Sequence, residues 1–190
     1  MSFEARDIPA AVAIGIGATL LMDLWNLLLK RAFGIPSLNY CLLGRWVAHM
    51  AGGTLRHASI TAAEPKRHEC AVGWVSHYSI GVVFALIFVA LVSADWLAGP
   101  TLLPALLYGL ATVVFPFFIM QPSLGLGVAS SRTPRPAQAR LKSAMTHSVF
   151  GVGLYLSALC VSYVVPPRQH HDRSSAQGFE VDRGSSLGET

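Results

Sequence analysis

Asp23 is the one formally charged side chain inside four long apolar stretches of this 190-residue sequence, and two histidines, His77 and His147, share that setting. An ionised Asp in hydrocarbon costs at least about 2.5–3.5 kcal/mol on insertion scales, so it needs a partner or water and is a functional hypothesis by default. His77 or His147 is the natural partner, and Asn26 and Gln121 add two amides nearby. Such a set could pass protons, hold an ion or bind a small polar or lipidic molecule. The plainer alternative is an interhelical hydrogen-bond network, worth about 0.6 kcal/mol per contact. His77 and His147 could also ligate a haem between helices, and with Asp23 they make a two-imidazole, one-carboxylate set for a divalent metal. No H-x-x-E or H-E-x-x-H pair, P-loop, nucleophile elbow or dinucleotide fingerprint is present. No cofactor is therefore expected, and no catalytic residue or reaction is assigned.

The elements that must position these residues follow from composition. The chain is 53% hydrophobic and 13% charged, against about 25% charged in a soluble domain. Crossing a bilayer takes roughly 20 apolar residues in a helix, and four stretches qualify: 8–29, 72–94, 102–120 and 144–165. The predicted fold is all-α, an integral membrane four-helix bundle over residues 1–165. The first stretch exceeds a signal-peptide core and follows a leader with little positive charge, so it reads as a retained helix. The short turn 95–101 predicts a hairpin of the second and third spans.

Ten Lys and Arg residues lie in 30–71 and 121–143, and four lie in the N-terminal segment and the tail. The positive-inside rule then puts both large loops in the cytoplasm and both termini outside. This arrangement, rather than nucleic-acid binding, accounts for the net charge of +4. At 1.5 Å per residue, Asp23 lies roughly 9 Å from the cytoplasmic boundary, His77 roughly 7–8 Å and His147 roughly 5 Å, with Asn26 a turn nearer the surface than Asp23 and Gln121 at the boundary. Polar groups from all four helices thus meet at one depth. His77 shares a stripe with Gly73, Gly81 and Ala85, His147 with Gly151 and Tyr155, and Asp23 with Gly15, Thr19 and Asn26. Small residues on such stripes let helices approach, so these faces are predicted to point inward.

In the first loop, Leu38, Leu42, Trp46 and Met50 recur at helical spacing after Pro36-Ser37, which predicts a short helix with its stop and cap there. Either it lies on the membrane surface or it folds back over the bundle. Gly125 and Gly127 in the apolar run 121–129 suggest a re-entrant turn, tolerated where protein or a water-filled cavity satisfies its backbone. Cys41, Cys70 and Cys160 lack any C-x-x-C spacing and are odd in number, so all three are expected as free thiols. Residues 166–190 are polar and are expected to be disordered; their His170-His171 pair is too sparse a ligand set to predict a metal.

The blocks Gly17–Trp25, Phe33–Tyr40, Gly44–Met50, Met120–Pro122, Arg132–Pro134 and His147–Tyr155 occur in an order that resembles the bacterial DUF2938 family of small multi-span membrane proteins. The resemblance covers roughly residues 8–165 and implies an inner-membrane location. It carries no reaction, cofactor or site residue. The expected function is handling of a proton, ion or small polar or lipidic molecule through Asp23, Asn26, His77, Gln121 and His147. The alternative is a scaffold or accessory subunit with lipid, a second copy or a membrane partner on its faces.

Overall fold

The computed structural model describes residues 5–92 and 94–164, so the expectations for the tail from 166 on fall outside the described residues. Within them the protein is all-α. Helix α1 is Ile8–Phe33, α2 Tyr40–Ala51, α3 Glu69–Leu91, α4 Ala94–Ala98, α5 Leu102–Ala111, α6 Gln121–Ser123 and α7 Pro136–Val164. A π-helical segment, Pro116–Met120, runs directly into α6. Four stretches are long and apolar enough to cross a membrane: Ile8–Phe33, Glu69–Leu91, Leu102–Ser123 and Pro136–Val164. The last begins eight residues before the apolar run, because Pro136–Ser143 continues the same helix with polar residues.

Local chemistry fixes the ends. Pro9 sits in the first turn of α1, where its missing N–H loses no bond. Lys30 and Arg31 occupy the last turn, complementing the negative end of the helix dipole, and Gly34 closes it at φ +65°. The cap of α2 is not Pro36-Ser37 as predicted but Asn39, whose Oδ1 accepts from the Cys41 N–H at 3.0 Å. An Asn two residues before the first unbonded N–H reaches it directly, which leaves Pro36 and Ser37 in the link.

Helix α1 packs on both α3 and α7, and α5 packs on α7. Glycines set these distances. A Cβ on Gly15 would overlap Val82 and Ala85 of α3, one on Gly153 would overlap Ala18, and one on Gly109 would overlap Gly151. The fourth seam, between α3 and the third span, has no such close backbone approach. Aromatic side chains fill it: Phe84 meets Phe115 at 5.8 Å and Phe88 meets Tyr108 at 5.0 Å, while the Tyr108 hydroxyl donates to the Phe84 carbonyl. The predicted hairpin of spans two and three is thus held open by bulky groups. Between its strides lies α4, whose Trp96 indole donates to Thr101 and closes the turn.

Helix α2 does not lie apart; it folds back onto α3. Gly44 and Gly73 permit this, since a Cβ on either would collide with the other helix's backbone. Its buried face is Leu43, Gly44 and Trp46, whereas Leu38 and Met50 of the predicted stripe are more than a third exposed. Arg45 spans to the α3 N-terminus in a two-pronged pair with Glu69, both contacts at 2.8 Å. Cys41 and Cys70 form a disulfide across the same seam, which corrects the expectation of three free thiols; Cys160 alone is free. The odd count left one cysteine over but said nothing against a pair that two helices bring together. Leu43, Trp46, Ile60 and Leu124 make a second small core beneath the loops. The 121–129 run closes onto it: the Ser123 and Leu124 carbonyls accept from His57 and Ile60 N–H groups. Protein therefore satisfies this backbone.

Candidate functional site

The stripes read from the sequence face inward. Gly73, His77, Gly81 and Ala85 are all buried on α3; Gly15, Thr19 and Asn26 are buried on α1, and Gly151 is buried on α7. The five polar residues nevertheless divide into two sets.

The first set is a knot tied through one oxygen of Asp23, whose Oδ2 is buried without a partner among the described residues. Asp23 Oδ1 accepts from the Tyr40 hydroxyl at 2.8 Å and from His77 Nε2 at 3.0 Å. Tyr40 stacks on the His77 ring, centroids 4.2 Å apart, and Trp74 and Tyr78 pack around the pair. Burial, then the adjacent carboxylate, pushes the Tyr40 phenol up from its ordinary value, so it stays a protonated donor. Tyr40 was not anticipated. It comes from a loop helix, and only the docking of α2 on α3 brings it to Asp23. The sequence signal that could have found it is its place at the start of the predicted helix, three residues before the buried Leu43.

The second set lines a cavity of about 290 Å³ at the open seam. Asn26, Gln121 and His147 contribute to its wall, as does one side of His77, whereas Asp23 lies behind. The apolar part comes from Phe84, Phe115, Met120 and Phe150, and the polar part adds Ser130, Lys142, Ser143 and Thr146. Several hydrogen bonds here are long: Thr146 to Asn26 at 3.5 Å and Gln121 Nε2 to Ser143 at 3.4 Å. Gln121 is 5% exposed, and its Oε1 is buried without a partner among the described residues. An amide left so is expensive, by about 1–3 kcal/mol.

His147 is held by Thr112. The Thr112 hydroxyl hydrogen goes to the Gly109 carbonyl at 2.6 Å. With that hydrogen on the carbonyl, its 2.7 Å contact with His147 Nδ1 is one in which the ring N–H donates to the hydroxyl oxygen; with the hydrogen turned to the ring, Nδ1 accepts. In the first arrangement a neutral His147 is the Nδ1–H tautomer, with an acceptor lone pair on Nε2.

Two backbone features adjoin this wall. The π-helical segment ends where the Gln121 N–H bonds back to the Pro116 carbonyl, and such wide turns recur at functional sites. Ala129 and Ser130 both hold positive φ, 47° and 58°, a sparsely populated conformation for residues with a Cβ. The Arg140 guanidinium steadies the first by donating to the Ala129 carbonyl at 2.8 Å.

Among the described residues no group of three or more His, Cys, Asp or Glu is arranged to hold a metal ion. For a haem spanning helices, His77 Nε2 is already committed to Asp23.

Neither the curated proteins nor the solved structures contain a match to this chain. The family model described as protein of unknown function, DUF2938, matches residues 12–161, most of the chain and all four long apolar helices in whole or large part. The ordered blocks from Gly17 to Tyr155 fall inside that match, and the chain belongs to the DUF2938 family.

Proposed function

We propose that this is a multi-span inner-membrane protein that takes a small polar or lipidic molecule into the cavity between α3 and the third span. One observation carries the reading: a 290 Å³ space in an otherwise glycine-tight bundle, walled by both polar and aromatic groups and containing the unpartnered amide of Gln121. A cavity of this size and mixed lining is typical of small-ligand sites. The charge count favours a cytoplasmic side for the α2 and 121–135 loops. The Cys41–Cys70 disulfide favours the other side, because disulfides persist in oxidising compartments. An impermeant maleimide applied to intact cells decides this with a cysteine introduced at Arg67 in a Cys160→Ser background, since Cys160 is itself a free, exposed thiol: protection supports the charge rule, and labelling reverses the orientation.

The binding reading is tested by purifying the protein in mild detergent and identifying co-purifying small molecules by mass spectrometry, alongside Ser143→Trp, which plugs the cavity. A molecule retained by the wild type and lost from the folded variant supports it. Identical extracts from both would end it and favour a scaffold or accessory subunit. That second reading draws on the Asp23–His77–Tyr40 knot, which is packed like a structural contact.

A further inference from the structure

We propose that the Cys41–Cys70 disulfide is a reversible redox site: a dithiol reductant opens it and so loosens the cavity wall that α2 supplies. The inference rests on the cytoplasmic side that the charge count favours for the 30–71 loop. On that side a permanent disulfide is out of place, because the cytosol keeps thiols reduced and the disulfides found there are usually transient or redox-sensing. A bond that opens and closes reconciles the cysteine pair with the charge count. The two sulfurs join the first turns of two helices, Cys41 in α2 and Cys70 in α3. The positive end of each helix dipole favours a thiolate, which stabilises the reduced pair, and the carboxylate next to Cys70, Glu69, is neutralised by Arg45. Cys70 is exposed and Cys41 half-buried, so an incoming thiolate meets Cys70 Sγ. A mixed disulfide forms there as the Cys41–Cys70 bond breaks, and Cys41 leaves as a thiolate that takes up a proton. The reductant's second thiol then displaces Cys70, giving two protein thiols and an oxidised reductant; exchange in the reverse direction restores the bond.

The α2–α3 seam has supports other than the bond. Gly44 lies against Gly73, Arg45 binds Glu69 and donates to the Ile60 and Ala63 carbonyls at 3.3 and 3.0 Å, and the Trp46 indole donates to the Leu55 carbonyl. These contacts keep α2 docked when the sulfurs part, which is what a reversible bond requires. The disulfide acts instead on the start of α2. Cys41 directly follows Tyr40, whose hydroxyl reaches Asp23, and Ser37, Leu38, Tyr40 and Leu43 all line the cavity. Upstream, residues 34–39 have no regular structure; the Ile35 N–H bonds back to the Leu29 carbonyl, and Lys142 donates to the Pro36 carbonyl. The covalent link at Cys41 therefore pins the downstream end of a wall segment that is otherwise lightly held. Opening it returns freedom to residues 37–41 while the rest of α2 stays in place.

The test uses the full-length protein with Cys160→Ser, so that the thiols counted are those of the pair. In growing cells, acid quenching and differential alkylation read by mass spectrometry should find the pair at least partly reduced, bonded after a pulse of diamide, and reduced again on recovery. A pair bonded under all three conditions would overturn the proposal, and the maleimide result at Arg67 then separates the causes: labelling means that the side is wrong, and protection means that the bond is permanent in the cytoplasm. A pair that stays reduced through the pulse would overturn it as well. In phosphatidylcholine nanodiscs, dithiothreitol should speed amide hydrogen exchange over residues 37–43 about tenfold relative to the oxidised protein, with α5 unchanged. Cys41→Ser should exchange at the reduced rate in either buffer. Equal exchange in the oxidised and reduced parent protein would overturn the link to the wall. None of these readouts needs a ligand, so their failure leaves the binding reading standing, and identical extracts in the Ser143→Trp comparison leave the redox site standing.

Discussion

The polar groups inside the bundle adopt two opposite solutions to the same problem. At Asp23, one carboxylate oxygen is met by two donors, Tyr40 and His77, with an aromatic stack beside it, while Oδ2 is buried without a partner among the described residues. At Gln121, a more deeply buried amide has one weak contact beside the cavity. Removing charge from water demands good partners, so the first arrangement is what stability alone would produce. The second is not, because an unpaired buried amide lowers stability. On the binding reading proposed above, the difference separates a polar group that holds helices together from one available to a ligand.

That contrast makes predictions of opposite sign. Asp23→Ala leaves the Tyr40 hydroxyl and His77 Nε2 without an acceptor, so it should destabilise the protein by about 3 kcal/mol. Thermal unfolding in detergent should show this as the largest loss among the wall and knot variants; a loss no greater than at an exposed polar position would mean the knot is not structural. Gln121→Leu replaces an unsatisfied amide with an apolar side chain of similar size. It should leave stability unchanged or raise it by about 1 kcal/mol. A marked loss of stability would instead show that Gln121 is a packing residue, and the comparison would collapse.

Much of this was legible in the sequence, and the rest was hidden for identifiable reasons. Long apolar runs give the four helices, and the Gly73, His77, Gly81, Ala85 stripe gives the inward face of α3, because helical periodicity is a local property. Depth and charge narrowed the partner of Asp23 to His77 or His147, and the structure pairs it with His77. Tyr40 and the Cys41–Cys70 pair could not be found that way, since both depend on α2 folding against α3, a contact 24 to 37 residues apart whose signal, Gly44 opposite Gly73, is meaningful only once the two helices are juxtaposed. Ser143 could have been found by stepping one turn back from His147. Thr112 could not have been placed against His147 by counting, because the contact exists only once the third span is docked on α7.

The smallest expected effect tests the finest detail of the cavity wall. In Thr112→Val the side-chain shape is kept and the hydroxyl bonded to His147 Nδ1 is lost. Stability should fall by about 1 kcal/mol, the value of one ordinary hydrogen bond. The sharper readout is the imidazole itself. With nitrogen-15-labelled histidine, His147 of the wild type should give the signature of a protonated Nδ1 and a bare Nε2, and the variant should shift toward the opposite tautomer, because nothing now holds the proton on Nδ1. A wild-type His147 already protonated on Nε2 would mean that the Thr112 hydroxyl turns its hydrogen to Nδ1, and the loss in Thr112→Val would then be that of a donor to the ring.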